Sequence, residues 1–281
     1  MTSKTPVIIS VAITGSVPQK SDNPAVPISL TEQIESTHEA FEDGATIAHV
    51  HVRDDAGKSS SDPDRFLAYK EGVNAHCPGM IVQFSTGGRG REHSERGGML
   101  KHRPDMASLA TGSVNFPGMI YENHPDLIDE LAADMLEFDI KPEVECFDLS
   151  MLYNAYEMVK AGQLREPCHF QFVFGMKGIL PPRKEILEFQ ISQLNELLPS
   201  ATWTAAGIGR HQLPLNHWSL ELGGHCRTGL EDNLRYDKNR LARSNAELVQ
   251  RVAKIAVEEY GRPVATTAEA RELLSLPAAA H

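Results

Sequence analysis

Short runs of β-branched and apolar residues alternate along this chain with longer stretches of helical periodicity, and no linker or low-complexity segment interrupts the series. Parallel strands need a crossover between them, and a helix supplies it, so such alternation points to a parallel α/β fold. The strand-like runs are Val7 to Thr14, Thr46 to Val52, Met80 to Ser85, Met106 to Thr111, Pro142 to Phe147, His169 to Phe174, Thr202 to Ala206 and His225 to Thr228. Helical patterns cover Leu30 to Asp43, Asp64 to Ala75, Pro125 to Asp139, Leu149 to Ala161, Arg183 to Leu198 and Lys238 to Tyr260. Ser29 and Gly44 bracket the first helix as cap and stop, and Gly261 with Pro263 ends the last. Eight strands in one undivided chain fit a single (β/α)8 TIM barrel over residues 1–281 better than an open doubly wound sheet. The first turn, TGSVPQK, also lacks the glycine-rich fingerprint that a dinucleotide-binding open sheet carries there.

Charge narrows the function classes. A formal net charge of −11 disfavours nonspecific binding to nucleic acid or to an anionic membrane. One stretch runs against the average: Arg89, Arg91, Arg96, Lys101 and Arg103 stand against only Glu92 and Glu95. Such a run reads first as a solvated basic loop and helix, and second as a patch for phosphates. Four scattered cysteines with no C-x-x-C pair suggest neither a disulfide framework nor a thiolate metal site. The polar start, Met1 to Pro6, and the lack of a membrane-length apolar run lead us to expect a cytoplasmic protein.

The most informative run is His49-Val50-His51-Val52-Arg53-Asp54. Strand geometry puts His49, His51 and Arg53 on one face. Strands of a parallel sheet are normally apolar on both faces, so inward imidazoles need partners, and a divalent metal is one. The H-x-H pattern alone is equally compatible with two hydrogen-bonded histidines. Other strand ends are polar as well: Ser85-Thr86-Gly87-Gly88, Glu143 with Glu145, and Arg227 with Glu231-Asp232. In a barrel these ends converge on one mouth, and two histidines plus a carboxylate would leave coordination positions open for chemistry.

With further motifs, these residues make the chain similar to the β-keto acid cleavage enzymes, a family that includes 3-keto-5-aminohexanoate cleavage enzyme. The resemblance runs nearly end to end. It comprises the H-x-H-x-R-(D/E) strand, STGG, the NHP segment Asn123 to Pro125 and PEVE at Pro142 to Glu145. It continues through AGIGR at Ala206 to Arg210, R-x-G-x-E-D-N at Arg227 to Asn233 and a GRP-(V/L)-AT stretch near the C-terminus. The resemblance implies a zinc-containing barrel, usually homo-oligomeric and often tetrameric, that condenses a β-keto acid with acetyl-CoA to give acetoacetate and a new acyl-CoA. By motif position it implies that His49, His51 and Glu231 hold one Zn2+ per chain. Ser85, Gly88 and Ser108 would contact the keto acid, Asp232 would be the base, and Arg227, Glu145 and Ser85 would position or tune it.

One departure bears on the substrate. After TGS, the amino-keto acid enzyme places a glutamate suited to an ammonium group, and here the residue is Val17. A neutral Val17 implies a substrate without an ammonium tail, and an uncharged tail is the expectation. Gly209-Arg210 and the basic stretch after STGG are candidates for the CoA phosphates. The same ligands would also serve a CoA-independent metal-dependent aldolase or hydrolase. A barrel kept only as a binding scaffold would not need the full set of ligands, base and arginine.

Overall fold

Alternate residues of each strand face opposite sides, and here the outward set is almost wholly apolar, while along four strands the inward set changes from apolar (Ile8, Ile47, Ile81, Met106) to polar (Ser10, His49, Gln83, Ser108). The computed structural model describes residues 5–88 and 93–279. Its strands are β1 (Ile9–Ala12), β2 (Ile47–Val50), β3 (Ile81–Phe84), β4 (Met106–Ala110), β5 (Val114–Phe116), β6 (Met119–Tyr121), β7 (Lys141–Cys146), β8 (His169–Phe174), β9 (Thr202–Gly207) and β10 (His225–Thr228). All but β5 and β6 close into a parallel barrel in the order β1-β10-β9-β8-β7-β4-β3-β2. Closure sets Ser10 opposite Arg227 and Ala12 opposite His49. The helices are α1 (Leu30–Glu42), α2 (Pro63–His76), α3 (Pro125–Glu137), α4 (Leu149–Lys160), α5 (Lys184–Leu197), α6 (Gln212–Leu222), α7 (Asn245–Glu258) and α8 (Thr267–Leu273). Among the described residues, none is long and apolar enough to cross a membrane.

The barrel and its strand order match the expectation from alternation, with differences at particular elements. Helix α6 was not foreseen: in QLPLNHWSLEL polar and apolar residues are mixed around the helix, with Gln212, Asn216 and Ser219 buried, so the 3.6-residue stripe is absent. The antiparallel hairpin β5–β6 is too short to register as a strand pattern. Helix α7 begins at Asn245 with Ser244 as its cap, not at Lys238. The preceding segment is instead a loop closed by an Arg235–Leu241 bridge and by Arg240 gripping Glu247 at 2.8 and 2.9 Å.

At the amino ends of the strands, Ile8, Ile47, Ile81 and Met106 form an inward apolar layer sealed by Ala270 and Leu274. His225 also starts its strand there, and its Nδ1 accepts the Ile8 N–H at 3.1 Å. That bond requires an unprotonated Nδ1, and burial pulls the imidazole pKa from 6.5 down to about 3. A folded-state pKa below the unfolded one means that the unfolded chain takes up the proton first as pH falls. The contribution is therefore intact above pH 6.5 and erodes as pH falls towards 3. Between pH 7.5 and 5.0, wild type should lose about 2 kcal/mol more unfolding free energy than His225→Asn does. Urea titrations at both pH values measure this, and equal losses would remove His225 from the account.

Candidate active site

Above the apolar layer the inward residues become polar. His49 lies near the end of β2, and its Nδ1 is 2.6 Å from Gln83 Oε1, which sits opposite it in register on β3. A glutamine oxygen accepting at Nδ1 leaves the Nε2 lone pair facing the barrel mouth. Two residues on, His51 turns the same way, and its ring centroid is 5.3 Å from that of His49. Glu231, just beyond β10, brings Oε1 to 3.7 Å from His49 Nε2 and 3.5 Å from His51 Nε2. Gly15 is what lets it approach: at φ +68°, a Cβ there would stand 2.6 Å from Glu231 Cγ. One donor atom from each of the three side chains lies within 4.8 Å of the others.

These spacings suit a divalent ion, since ligand atoms around tetrahedral zinc lie about 3.3 Å apart. The donor set of two nitrogens and one oxygen fits as well. Glu231 Oε2 is buried with no hydrogen-bond partner among the described residues, a further mark of a ligand position.

Arg227, on β10, holds both acidic neighbours. Its Nε and Nη2 donate to the two oxygens of Asp232 at 2.8 and 2.9 Å, and Nη2 also donates to Glu231 Oε1 at 2.7 Å. Burial raises the pKa of both carboxyls, yet the two end on opposite sides of the ordinary range. Arg227, His51 and His49 overcome burial at Glu231 and hold it well below the usual carboxylate value. At Asp232 burial prevails over Arg227, and Glu231 adds to it, so that carboxyl is pushed up. Burial opposes the charge on Arg227 too, but Asp232 and Glu231 keep it protonated. Glu145, on β7, is pushed to about 8, chiefly by burial and further by Glu143, Glu231 and Asp232 against the pull of Arg227. It is therefore largely protonated at neutral pH.

These groups open into a cavity of 510 Å³ at the carboxyl ends of the strands. Its walls are mixed. Phe116 and Tyr121 stack at 5.6 Å with Phe147 edge-on to both, forming an apolar side. His51, Glu145, Arg227, Glu231 and Asp232 form a polar floor. Ser85 lines the cavity and its Oγ accepts the Gly87 N–H at 3.2 Å. Val17 lines the rim and is 58% exposed.

Not every anticipated residue reaches that space. Ser108 is not among the lining residues; its Oγ accepts the Thr86 N–H at 3.1 Å. Gly88 is not among them either, and a Cβ there would meet Arg96 Cδ at 2.5 Å. Arg53 does not join the histidines, because beyond His51 the chain has left the barrel strand and Arg53 bridges to Ser59. Its guanidinium binds the carbonyls of Gly15, Gly57 and Pro18 instead, fixing the loop after β1. Glu143 lies deeper than Glu145, hydrogen-bonded to Gln171 and 3.4 Å from His169 Nε2. Of the basic stretch, Arg89 and Arg91 lie outside the described residues. Arg96 is buried and structural rather than solvated, donating to Thr86 O, Glu122 O, Tyr121 Oη and Asn123 Oδ1.

Sequence reasoning missed Gln83, Gln171, the aromatic wall and Arg235, which lines the rim. A signal existed for the two glutamines, each being the polar member of an otherwise apolar strand run. The aromatic wall had none, because the hairpin that carries it was unreadable.

Known proteins resemble this chain along nearly its whole length. The 3-oxoadipate:acetyl-CoA acetyltransferase of Cupriavidus necator is 61% identical over 272 residues, covering 97% of this chain and 95% of that protein. The 3-keto-5-aminohexanoate cleavage enzyme of Fusobacterium nucleatum is 40% identical, covering 96% of this chain and 98% of that protein. The solved ternary complex of ObcA with a C4-CoA adduct and oxalate shares the fold at a TM-score of 0.82 and 22% identity, covering 90% of this chain and 68% of that one. Residues 6–276 match the beta-keto acid cleavage enzyme family, and the chain belongs to it.

Proposed function

We propose that this protein transfers an acyl group from a β-keto acid to CoA at the expense of acetyl-CoA, releasing acetoacetate, with 3-oxoadipate as the keto acid. The observation that carries this is the convergence of His51, Glu231 and the Arg227–Asp232 pair on one cavity floor, with buried His49 bringing its Nε2 to 3.7 Å from Glu231. The substrate assignment draws on the 61% identical relative, and it replaces the expectation of an uncharged tail. The whole site is carried by one barrel domain, and a homotetramer is the expected assembly, which sedimentation would check.

His49, His51 and Glu231 would hold a divalent ion, zinc by preference for this donor set, and it would supply a Lewis acid for the ketone oxygen. Asp232, oriented by two hydrogen bonds from Arg227, takes the proton from the carbon between ketone and carboxylate. That carbon attacks the acetyl-CoA thioester, a carbon–carbon bond forms, and CoA leaves as the thiolate. The thiolate then attacks the original ketone carbon, and the older carbon–carbon bond breaks. Acetoacetate takes back one proton, and the former keto acid departs as its acyl-CoA. Glu145, neutral and facing the same cavity, can donate a proton where oxyanion charge develops. Ser85 is placed to hydrogen-bond the keto acid, with Val17 at the rim beside its tail. Gly88 and Ser108 support the turn that presents Ser85. Gly209 and Arg210 at the rim are suited to the CoA phosphates.

The test is metal-loaded protein with acetyl-CoA and a panel of β-keto acids, read by mass spectrometry for acetoacetate and new acyl-CoA. Paired formation of both, fastest with 3-oxoadipate, is expected. Acyl-CoA from no member would instead favour a CoA-independent lyase or hydrolase on the same site. Removing one ligand, as in His51→Ala, should weaken metal affinity by about a hundredfold or more while leaving the fold intact. Elemental analysis after dialysis reads this directly, and unchanged metal content would sink the ligand assignment.

A further inference from the structure

We infer that Arg235 is the specificity residue of this site, forming an ion pair with a second carboxylate at the far end of the β-keto acid's tail. The inference deepens the proposed function and rests on it.

Three described arginines line the cavity, Arg210, Arg227 and Arg235. Arg227 is spent on Asp232 and Glu231, and Arg210 Nε donates to His211 Nε2 at 3.3 Å. The guanidinium of Arg235 makes no hydrogen bond or ion pair with any described residue. Its backbone, by contrast, is clamped. The Asn233 side chain receives the Arg235 N–H at 3.1 Å and donates to the Arg235 carbonyl at 2.7 Å, and a bridge joins Arg235 to Leu241. A fixed mount carrying a free cation over a cavity is a site built for an anion.

Position selects which anion. Arg235 follows Asp232 by three residues, a stretch that spans at most about 11 Å, so its side chain can reach back over the floor. Asn23 ties the loop after β1 to the same segment through Leu234 O at 2.9 Å and Ala242 O at 2.8 Å. That loop contributes Ser16, Val17 and Pro18 to the cavity. An apolar rim residue and an unpaired arginine lining the same cavity match a short methylene tail that ends in a carboxylate. In 3-oxoadipate that carboxylate is three carbon–carbon bonds from the ketone, too close to the reacting centre for the phosphates of a long CoA chain to occupy the same place.

The experiment compares 3-oxoadipate with 3-oxohexanoate, whose tail has the same length and no charge, at saturating acetyl-CoA. For Arg235→Gln, kcat/KM with 3-oxoadipate should fall by about a hundredfold, mostly through KM, as expected when a charged hydrogen-bonded contact is lost. With 3-oxohexanoate it should change by less than about threefold, and Arg235→Lys should recover part of the loss. Equal losses on both substrates, a selective rise in the KM for acetyl-CoA, or no change would each overturn the inference. Wild-type protein inactive on both keto acids would overturn the proposed function itself, an outcome visible before any variant is made.

Discussion

Asp232→Asn is expected to lower kcat by about a thousandfold or more, the scale of losing a well-placed general base. The side chain is fixed by two hydrogen bonds from Arg227, so the carboxylate is aimed and not merely present. Glu231 sits one residue away with a similar group but a different fate. Arg227 and the two imidazoles hold it as a carboxylate well below the usual range, which suits a ligand. Asp232 is pushed the other way by burial, which makes its carboxylate the stronger base of the two. Proton exchange at the keto acid's α-carbon in D2O isolates this step from the later ones. Wild type should exchange in the absence of acetyl-CoA, and the variant should not. The variant should keep its metal and its circular dichroism, because the amide can still accept one of the two Arg227 hydrogen bonds. Exchange persisting within about tenfold of wild type would assign the base elsewhere.

How far the sequence exposes this site depends on which residues obey a local rule. His49 and His51 are legible because they alternate along one strand-like run of sequence, and Arg227, Glu231 and Asp232 because they stand where a strand stops being apolar. Alternation then misleads at Arg53: β2 has already ended, and the side chain turns to three loop carbonyls. Barrel closure was readable from the count and order of the strands. It could not reveal that His49 faces Gln83 or that Ser10 faces Arg227, since those pairings depend on register between strands. Arg235 was hidden for a different reason. A run of basic residues on from Arg235 resembles the start of the last helix, and only the bridge to Leu241 and the Asn233 clamp make it a loop over the cavity.

The same limit explains Arg96, where a local run of basic residues suggested a solvated patch and packing gives a buried strut. Its guanidinium joins the Ser85–Gly88 turn, through Thr86 O at 2.9 Å, to the segment after the hairpin, through Glu122 O at 2.7 Å and Asn123 Oδ1 at 2.8 Å. It also lies 5.2 Å from the centroid of the Tyr121 ring. Arg96→Leu keeps most of the side-chain volume but leaves Thr86 O, Glu122 O and Asn123 Oδ1 without that donor, the first and last of them buried. The expected loss is about 3 to 5 kcal/mol of unfolding free energy, read by urea denaturation. Lys101→Leu, at an exposed position of the same basic stretch, should change stability by less than about 0.5 kcal/mol. If the two variants were equally mild, the strut would be dispensable. The functional consequence follows from what it joins. Ser85 and Tyr121 face one cavity from two different segments, and Arg96 is bonded to both the turn and the tyrosine hydroxyl. Folded Arg96→Leu protein, assayed at low temperature, should therefore bind the keto acid more weakly while its metal content stays at wild-type level. A loss of metal alongside would mean that the strut supports the His49–His51–Glu231 cluster as well as the substrate wall.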